Sequence, residues 1–180
     1  MAVDQNERLL QHDRWMTNLM YDAAATLDDA QLDQDFDIGH RTVRNTLDHI
    51  TVGIELWTAL LEGKPAVWEP NPADVETMRA RYLAAHDRFA DLSRQIVAEG
   101  RLDETFVDPW DYQQSNGSTI LHVTLHSHVH RSELLHMFQR LGFGEFTQGD
   151  PQEWEHMAGI TPPLYVPNIV APGQEAVPTP

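Results

Sequence analysis

Apolar residues recur at helical spacing in four stretches of the chain. Leu9, Met16, Leu19, Met20, Ala23 and Leu27, with His12 on the same stripe, follow the three-and-four rhythm of one buried helix face. Asp4-x-x-Glu7 opens this stretch as a capping-box-like pair, and the pattern predicts a helix ending near Ala30. Val43, Leu47, Ile50, Ile54, Trp57 and Leu61 mark a second helix, capped by Thr42 and stopped at Gly63 with Pro65 beyond. For the third, Asn71 is the expected N-cap, Pro72 the first helical residue, and Gly100 lies just past the end. The fourth is expected to start after Asn116-Gly117, capped by Ser118 or Thr119, and to end at Leu141-Gly142. Thr105-Phe106-Val107, in a segment interrupted by Pro109, predicts a short strand.

Four long segments with short to moderate links predict an all-α helical bundle over residues 1–145. The character then changes. Seven of the eleven prolines lie after residue 150, which excludes a long helix there. Trp154, Ile160, Leu164, Tyr165, Val166 and Ile169 make residues 146–180 too apolar for a free tail, so this proline-rich extension is expected to pack on the bundle or on a partner subunit.

Composition narrows the chemistry. The 180-residue chain has no cysteine, which removes disulfides, thiolate ligands and a cysteine nucleophile, so any thiol chemistry needs an external thiol. A formal charge of -16 argues against nucleic acid or an anionic membrane surface as the main partner. No segment is apolar enough to span a bilayer and the N-terminus does not read as a secretory signal, so a cytoplasmic protein is expected.

Five of the ten histidines fall between residues 122 and 136. His122, His126 and His130 are spaced by four, and each step of four turns a helix by about 400°, so the three line one stripe. Two histidines at that spacing can converge on one divalent ion. His49, within the apolar run of the second helix, supplies a third nitrogen from a different helix, leaving open positions as in catalytic sites. His126 and His130 lie deeper in their helix than His122 and are the expected pair. His122 then becomes a pocket-wall group acting beside the ligands, and Glu133, about 60° from His130, can orient its imidazole or act as a base. The alternative for Glu133 is a surface salt bridge near Arg131 or Arg140, and for the ladder a polar seam without metal. Gly53, one turn after His49, leaves space either for a substrate or for a close helix crossing. His12 reads more readily as a core histidine than as a ligand, and His128 as surface-exposed. His40, His86, His136 and His156 read as structural or solvated. Asp48 projects about 100° from His49 and is a poor ligand candidate. Trp15, Trp57 and Trp110 read as core.

These residues carry a resemblance. Thr42-Val43-Arg44-Asn45-Thr46-Leu47-Asp48-His49-Ile50 is similar to the helix-two motif of the DinB/YfiT-like superfamily, and Leu121 to Arg131, ending His126-Ser127-His128-Val129-His130-Arg131, to its helix-four motif. His12-Asp13-Arg14-Trp15 also resembles the start of family members, and the similarity spans residues 5–142. The resemblance implies an up-down-down-up four-helix bundle, a divalent metal (zinc, nickel, iron or manganese) on His49, His126 and His130, and a homodimer. Relatives include S-transferases that use a low-molecular-weight thiol, which implies a thiol activated at the ion and attacking a small electrophilic substrate. A metal-dependent hydrolase and a non-catalytic metal-binding stress-response protein are the other readings. Ser132-Glu133 stand where glycine and glutamine commonly follow the His-Arg pair, and the C-terminal extension lies beyond the family core.

Overall fold

The computed structural model describes residues 4–144, 147 and 149–161. The chain divides into two compact units, 1–147 and 148–180. The first contains α1 (Gln5–Ala24), α2 (Asp29–Leu32), α3 (Val43–Leu61), α4 (Val75–Ala98), the strands β1 (Thr105–Val107) and β2 (Gln113–Ser115), and α5 (Asn116–Arg140).

Each long helix starts on a side chain that accepts a backbone N–H the helix itself leaves unpaired. Asp4 caps α1 through Glu7 N (2.8 Å), and Thr42 caps α3 through Asn45 N (3.0 Å). Three boundaries differ from expectation. α1 ends at Ala24, because Asp28 and Gln31 form a reciprocal capping box that starts the separate four-residue α2. α4 begins at Val75 on the Asp74 cap (Thr77 N, 2.9 Å), whereas Asn71 N donates to Asp48 (3.0 Å) and is drawn toward α3. α5 starts slightly earlier than expected, on Ser115, which accepts from Ser118 N at 3.1 Å. The strand at Thr105–Val107 pairs antiparallel with Gln113–Ser115, a partner whose Gln-Gln-Ser sequence has no apolar alternation to announce it.

Side-chain pairs between the helices establish their directions. Arg81 of α4 reaches Glu55 (2.9 Å) and Asp48 (3.1 Å) of α3, and Arg88 reaches Glu62, so both helices advance together and run parallel. Arg94 meets Glu7 (2.8 Å) and Arg79 meets Asp22 (2.6 Å), so α4 runs against α1. His49 faces His130 and Trp57 faces His122, so α5 runs against α3. The bundle is therefore up-down-down-up, with α1 and α3 each packed on both α4 and α5. Because α3 and α4 are parallel neighbours, the link between them (62–74) must return along α3, a helix of about 29 Å at 1.5 Å per residue.

The core is built from Tyr21, Leu47, Ile50, Tyr82, Phe89 and Phe138, all essentially inaccessible to solvent. A polar knot is buried beside it. Arg131 of α5 donates to Asp13 of α1 and to Thr17 Oγ1 (3.1 Å), and His86 of α4 places Nε2 3.5 Å from the other Asp13 oxygen. Arg131 is thus a buried inter-helix anchor and not the surface partner considered for Glu133. Burial alone would raise the Asp13 carboxyl, but the Arg131 charge and His86 outweigh it and hold it below its ordinary value.

In the second unit α6 (Pro151–Met157) is capped by Asp150, which accepts from Gln152 N (2.8 Å) and Glu153 N (2.9 Å), and has Pro151 in its first turn. Leu164, Tyr165, Val166 and Ile169 lie outside the described residues. No described helix is long and apolar enough to cross a membrane.

Removing one partner of a buried ion pair strands the other charge. Arg131→Met should therefore destabilise the bundle by about 3–5 kcal/mol in urea unfolding, and Asp13→Leu combined with it should recover part of that loss.

Candidate metal centre

The site lies between α3 and α5. Each step of four residues forward along α3 is matched by a step of four back along α5. His49 lies against His130, Gly53 against His126, and Trp57 against His122. His49 Nε2 stands 3.1 Å from His126 Nε2, which stands 3.2 Å from His130 Nε2. His130 Nδ1 lies 2.8 Å from Glu133 Oε2, one turn further along the same helix. A Cβ at Gly53 would lie 3.1 Å from His126 Cε1 and 3.4 Å from its Nδ1. The room left by this glycine is thus filled by the His126 ring. Neither expectation for Gly53, a substrate space or a helix crossing, had identified that occupant.

A fourth imidazole enters from the loop between α2 and α3. The His40 ring stacks on His49 with centroids 3.5 Å apart and planes 24° from parallel, and meets His130 edge-on at 5.1 Å. Nitrogens of His40, His49 and His130 all lie within 4.8 Å of one another. From the sequence His40 reads as structural or solvated, because helical periodicity says nothing about a loop residue; here it stacks on His49. The loop turns sharply: Asp37, Gly39 and Arg41 have φ of 56°, 49° and 72°. A Cβ on Gly39 would also overlap the Glu133 carboxylate, which would have to shift away from His130. The returning α3–α4 link adds Trp68, half exposed, whose ring stands edge-on to His49 at 5.3 Å. His40, Asp48, His49, Trp68 and Pro70 border a cavity of about 240 Å³.

The other candidates are dispersed. His122 is exposed, stacked edge-on to Trp57 at 4.9 Å with its ring 5.5 Å from His126. His128, His136 and His156 are exposed, His86 belongs to the Asp13 knot, and His12 is buried in α1. Asp48 is buried, and its two oxygens are taken by Arg81 and Asn71 N, although it borders the same cavity as His40 and His49. Trp15 and Trp57 are half-buried, but Trp110 is 58 % exposed and is not a core residue.

The charge state of the cluster follows from burial. Loss of water, and then the neighbouring imidazoles, push His49 down to about 3 and His126 down to about 4, and His40 is also lowered. Near pH 7 these rings are neutral, the form that donates a lone pair to a metal. With Nδ1–H of His130 donating a hydrogen bond to Glu133, its Nε2 presents a lone pair toward His126. Neutral imidazoles whose Nε2 atoms face one another in this way cannot all satisfy each other, because each nitrogen carries either one proton or one lone pair. A cation among them resolves the conflict. Nitrogen ligands at about 2.0–2.1 Å from a tetrahedral zinc are separated by about 3.3–3.4 Å, close to the spacings seen. The donor set therefore fits a divalent ion.

The family model described as DinB family matches residues 1–149. No curated protein and no solved structure matches the chain.

The depressed histidines make stability pH-dependent with a defined sign. Unfolded histidines take up protons near pH 6.5, whereas the folded protein refuses them at His49 and His126 until near 3 and 4. The unfolded state thus binds more protons in this window, and stability falls as pH drops through it. In metal-free protein the melting temperature should decrease from pH 7 to pH 5, and His49→Gln combined with His126→Gln should flatten that decrease.

Proposed function

The chain belongs to the DinB family, and on that premise we propose that it is a metal-dependent enzyme transferring a small external thiol to an electrophilic small molecule. His49, His126 and His130 are its metal ligands. The observation that carries this reading is His126 Nε2 standing 3.1 Å from His49 Nε2 and 3.2 Å from His130 Nε2, beside the His40, His49 and His130 nitrogens that lie within 4.8 Å of one another, with Glu133 set on the far nitrogen of His130. A divalent ion bound there supplies Lewis acidity, lowering the pKa of a thiol or water placed on it. The nitrogen set does not select among zinc, nickel, iron(II) and manganese.

The chain's own residues have distinct tasks in this reading. Glu133 accepts the Nδ1 proton of His130 and holds its ring in one tautomer and orientation. Gly53 lets the His126 ring lie flat against α3. His40 brings a fourth nitrogen from a loop, so it can fill a ligand position and yield it to a substrate without disturbing the helices. His122, at the exposed edge of the site, has its imidazole lowered by partial loss of water and can accept a proton there. The absence of cysteine agrees with a nucleophile that arrives from outside.

A homodimer, working in the cytoplasm, belongs to the same reading. Leu121, Leu125 and Val129 recur every four residues on the outer face of α5 and are 49 %, 58 % and 55 % exposed. Such a stripe is what a second copy would cover.

Elemental analysis tests the ligands. Wild type and His128→Ala should hold one divalent ion per chain, and His49→Ala, His126→Ala and His130→Ala should lose it. One ion per chain in His126→Ala would overturn the ligand set. In cobalt-substituted protein, a low-molecular-weight thiol at millimolar concentration should change the visible d–d bands. Unchanged bands with every such thiol tried would overturn the transferase. For the dimer, light scattering should give twice the 20.5 kDa of one chain, and Leu125→Glu should return a single-chain mass.

A further inference from the structure

The hairpin ahead of α5 holds a constellation that the histidine cluster does not use. Asp108, buried at its turn, accepts from Trp110 N (2.9 Å), Tyr112 N (3.0 Å) and Gln114 Nε2 (3.0 Å). Asp108 N in turn donates to Tyr112 O at 2.9 Å, and Asp111 takes a left-handed φ of 66°. The turn is therefore held from within by a carboxylate. Its aromatic side chains are not used for packing: Trp110 is 58 % and Tyr112 67 % exposed. Two large rings displayed on a rigid turn leave apolar surface in water, which marks a binding surface more than a structural one.

The rings do not face open solvent alone. Trp110 approaches Trp57 of α3 with centroids 6.1 Å apart, and His122 meets the other side of the arrangement, edge-on to Trp57 at 4.9 Å. Trp57, Trp110, Tyr112 and His122, with Gln114 and Thr119, border a cavity of about 460 Å³, the size of a small-molecule site. No lysine or arginine lines it, and Asp108 is its charged group. An anionic ligand would find no counter-charge there, whereas the π faces of the rings favour flat ring systems and cations.

We infer that this chamber binds the planar, neutral or cationic ring system of a small molecule, stacked among Trp57, Trp110 and Tyr112. His122 stands in its wall, with its ring 5.5 Å from His126. A ligand seated here extends from the aromatic chamber toward the histidine cluster. That this ligand is the electrophilic substrate rests on the transferase reading; the binding of the ring does not.

Isothermal titration of the full chain with three probes separates shape from charge: 1-methylquinolinium, 2-naphthoate and cyclohexyltrimethylammonium. The planar cation should bind tightest. Trp110→Ala and Tyr112→Ala, both at exposed positions that the fold does not need, should each weaken it by roughly 3- to 10-fold. His126→Ala should bind it like wild type while losing its divalent metal. Equal binding of the cyclohexyl cation or of the naphthoate, or wild-type affinity in Trp110→Ala, would overturn the chamber's assignment. Divalent-metal content on the same samples keeps the two readings apart. Quinolinium binding without any divalent metal in wild type overturns the metal centre alone, and metal without quinolinium binding overturns the chamber alone.

Discussion

The buried contact between Arg131 and Asp13 controls how α5 is rotated in the bundle. Arg131 must point at α1, where the buried Asp13 carboxylate neutralises it with His86 beside that carboxylate, and where Thr17 Oγ1 accepts a further bond from the guanidinium. Successive residues on a helix are about 100° apart, so holding Arg131 toward α1 turns His130 toward α3. His126, one turn earlier, follows. The adjacency of histidine and arginine in the sequence is thus a geometric device in which the arginine anchors and the histidine is aimed. Such a pair contributes little net stability compared with apolar packing. Its value lies in excluding other rotations of α5, which an apolar contact would tolerate more readily.

The register of α3 against α5 then decides what each rung of the histidine ladder does. The three rungs share one face of α5, but α3 opposes them with different residues. His130 meets a histidine, His126 a glycine, and His122 a tryptophan. The first gives a facing nitrogen, the second gives space for a ring, and the third gives an aromatic wall. One repeated residue on one helix therefore acquires different roles from its partner helix.

This explains how much could be read beforehand. The bundle was legible because apolar periodicity and capping residues act locally, and the up-down-down-up order came through the resemblance of two short motifs. The ladder, His49 and Glu133 were legible because each sits on a helix, where spacing converts directly to direction. His40 was not, since its position depends on the left-handed turns at Asp37, Gly39 and Arg41. Arg131 reads as solvated in the sequence, because its buried counter-charge lies 118 positions away. Trp110 reads as core, because the Asp108 turn that displays it outward depends on a carboxylate accepting from residues two to six positions on.

The parts that were illegible have something in common. His40, Trp68, Trp110 and Tyr112 all lie outside the four long helices. The nitrogen set on α3 and α5 is carried by packed helices, whose backbones cannot move without repacking the core. What surrounds it comes from the α2–α3 loop, the return link and the hairpin turn. Backbone there can change without repacking the core. The link owes its path across the site to topology: parallel α3 and α4 require a connection that runs back along the bundle, and Trp68 lies on that return. The same bundle can therefore keep its histidine centre while loop residues change which molecule reaches it. On the transferase reading proposed above, substrate choice would be a property of the loops and the metal chemistry a property of two helices.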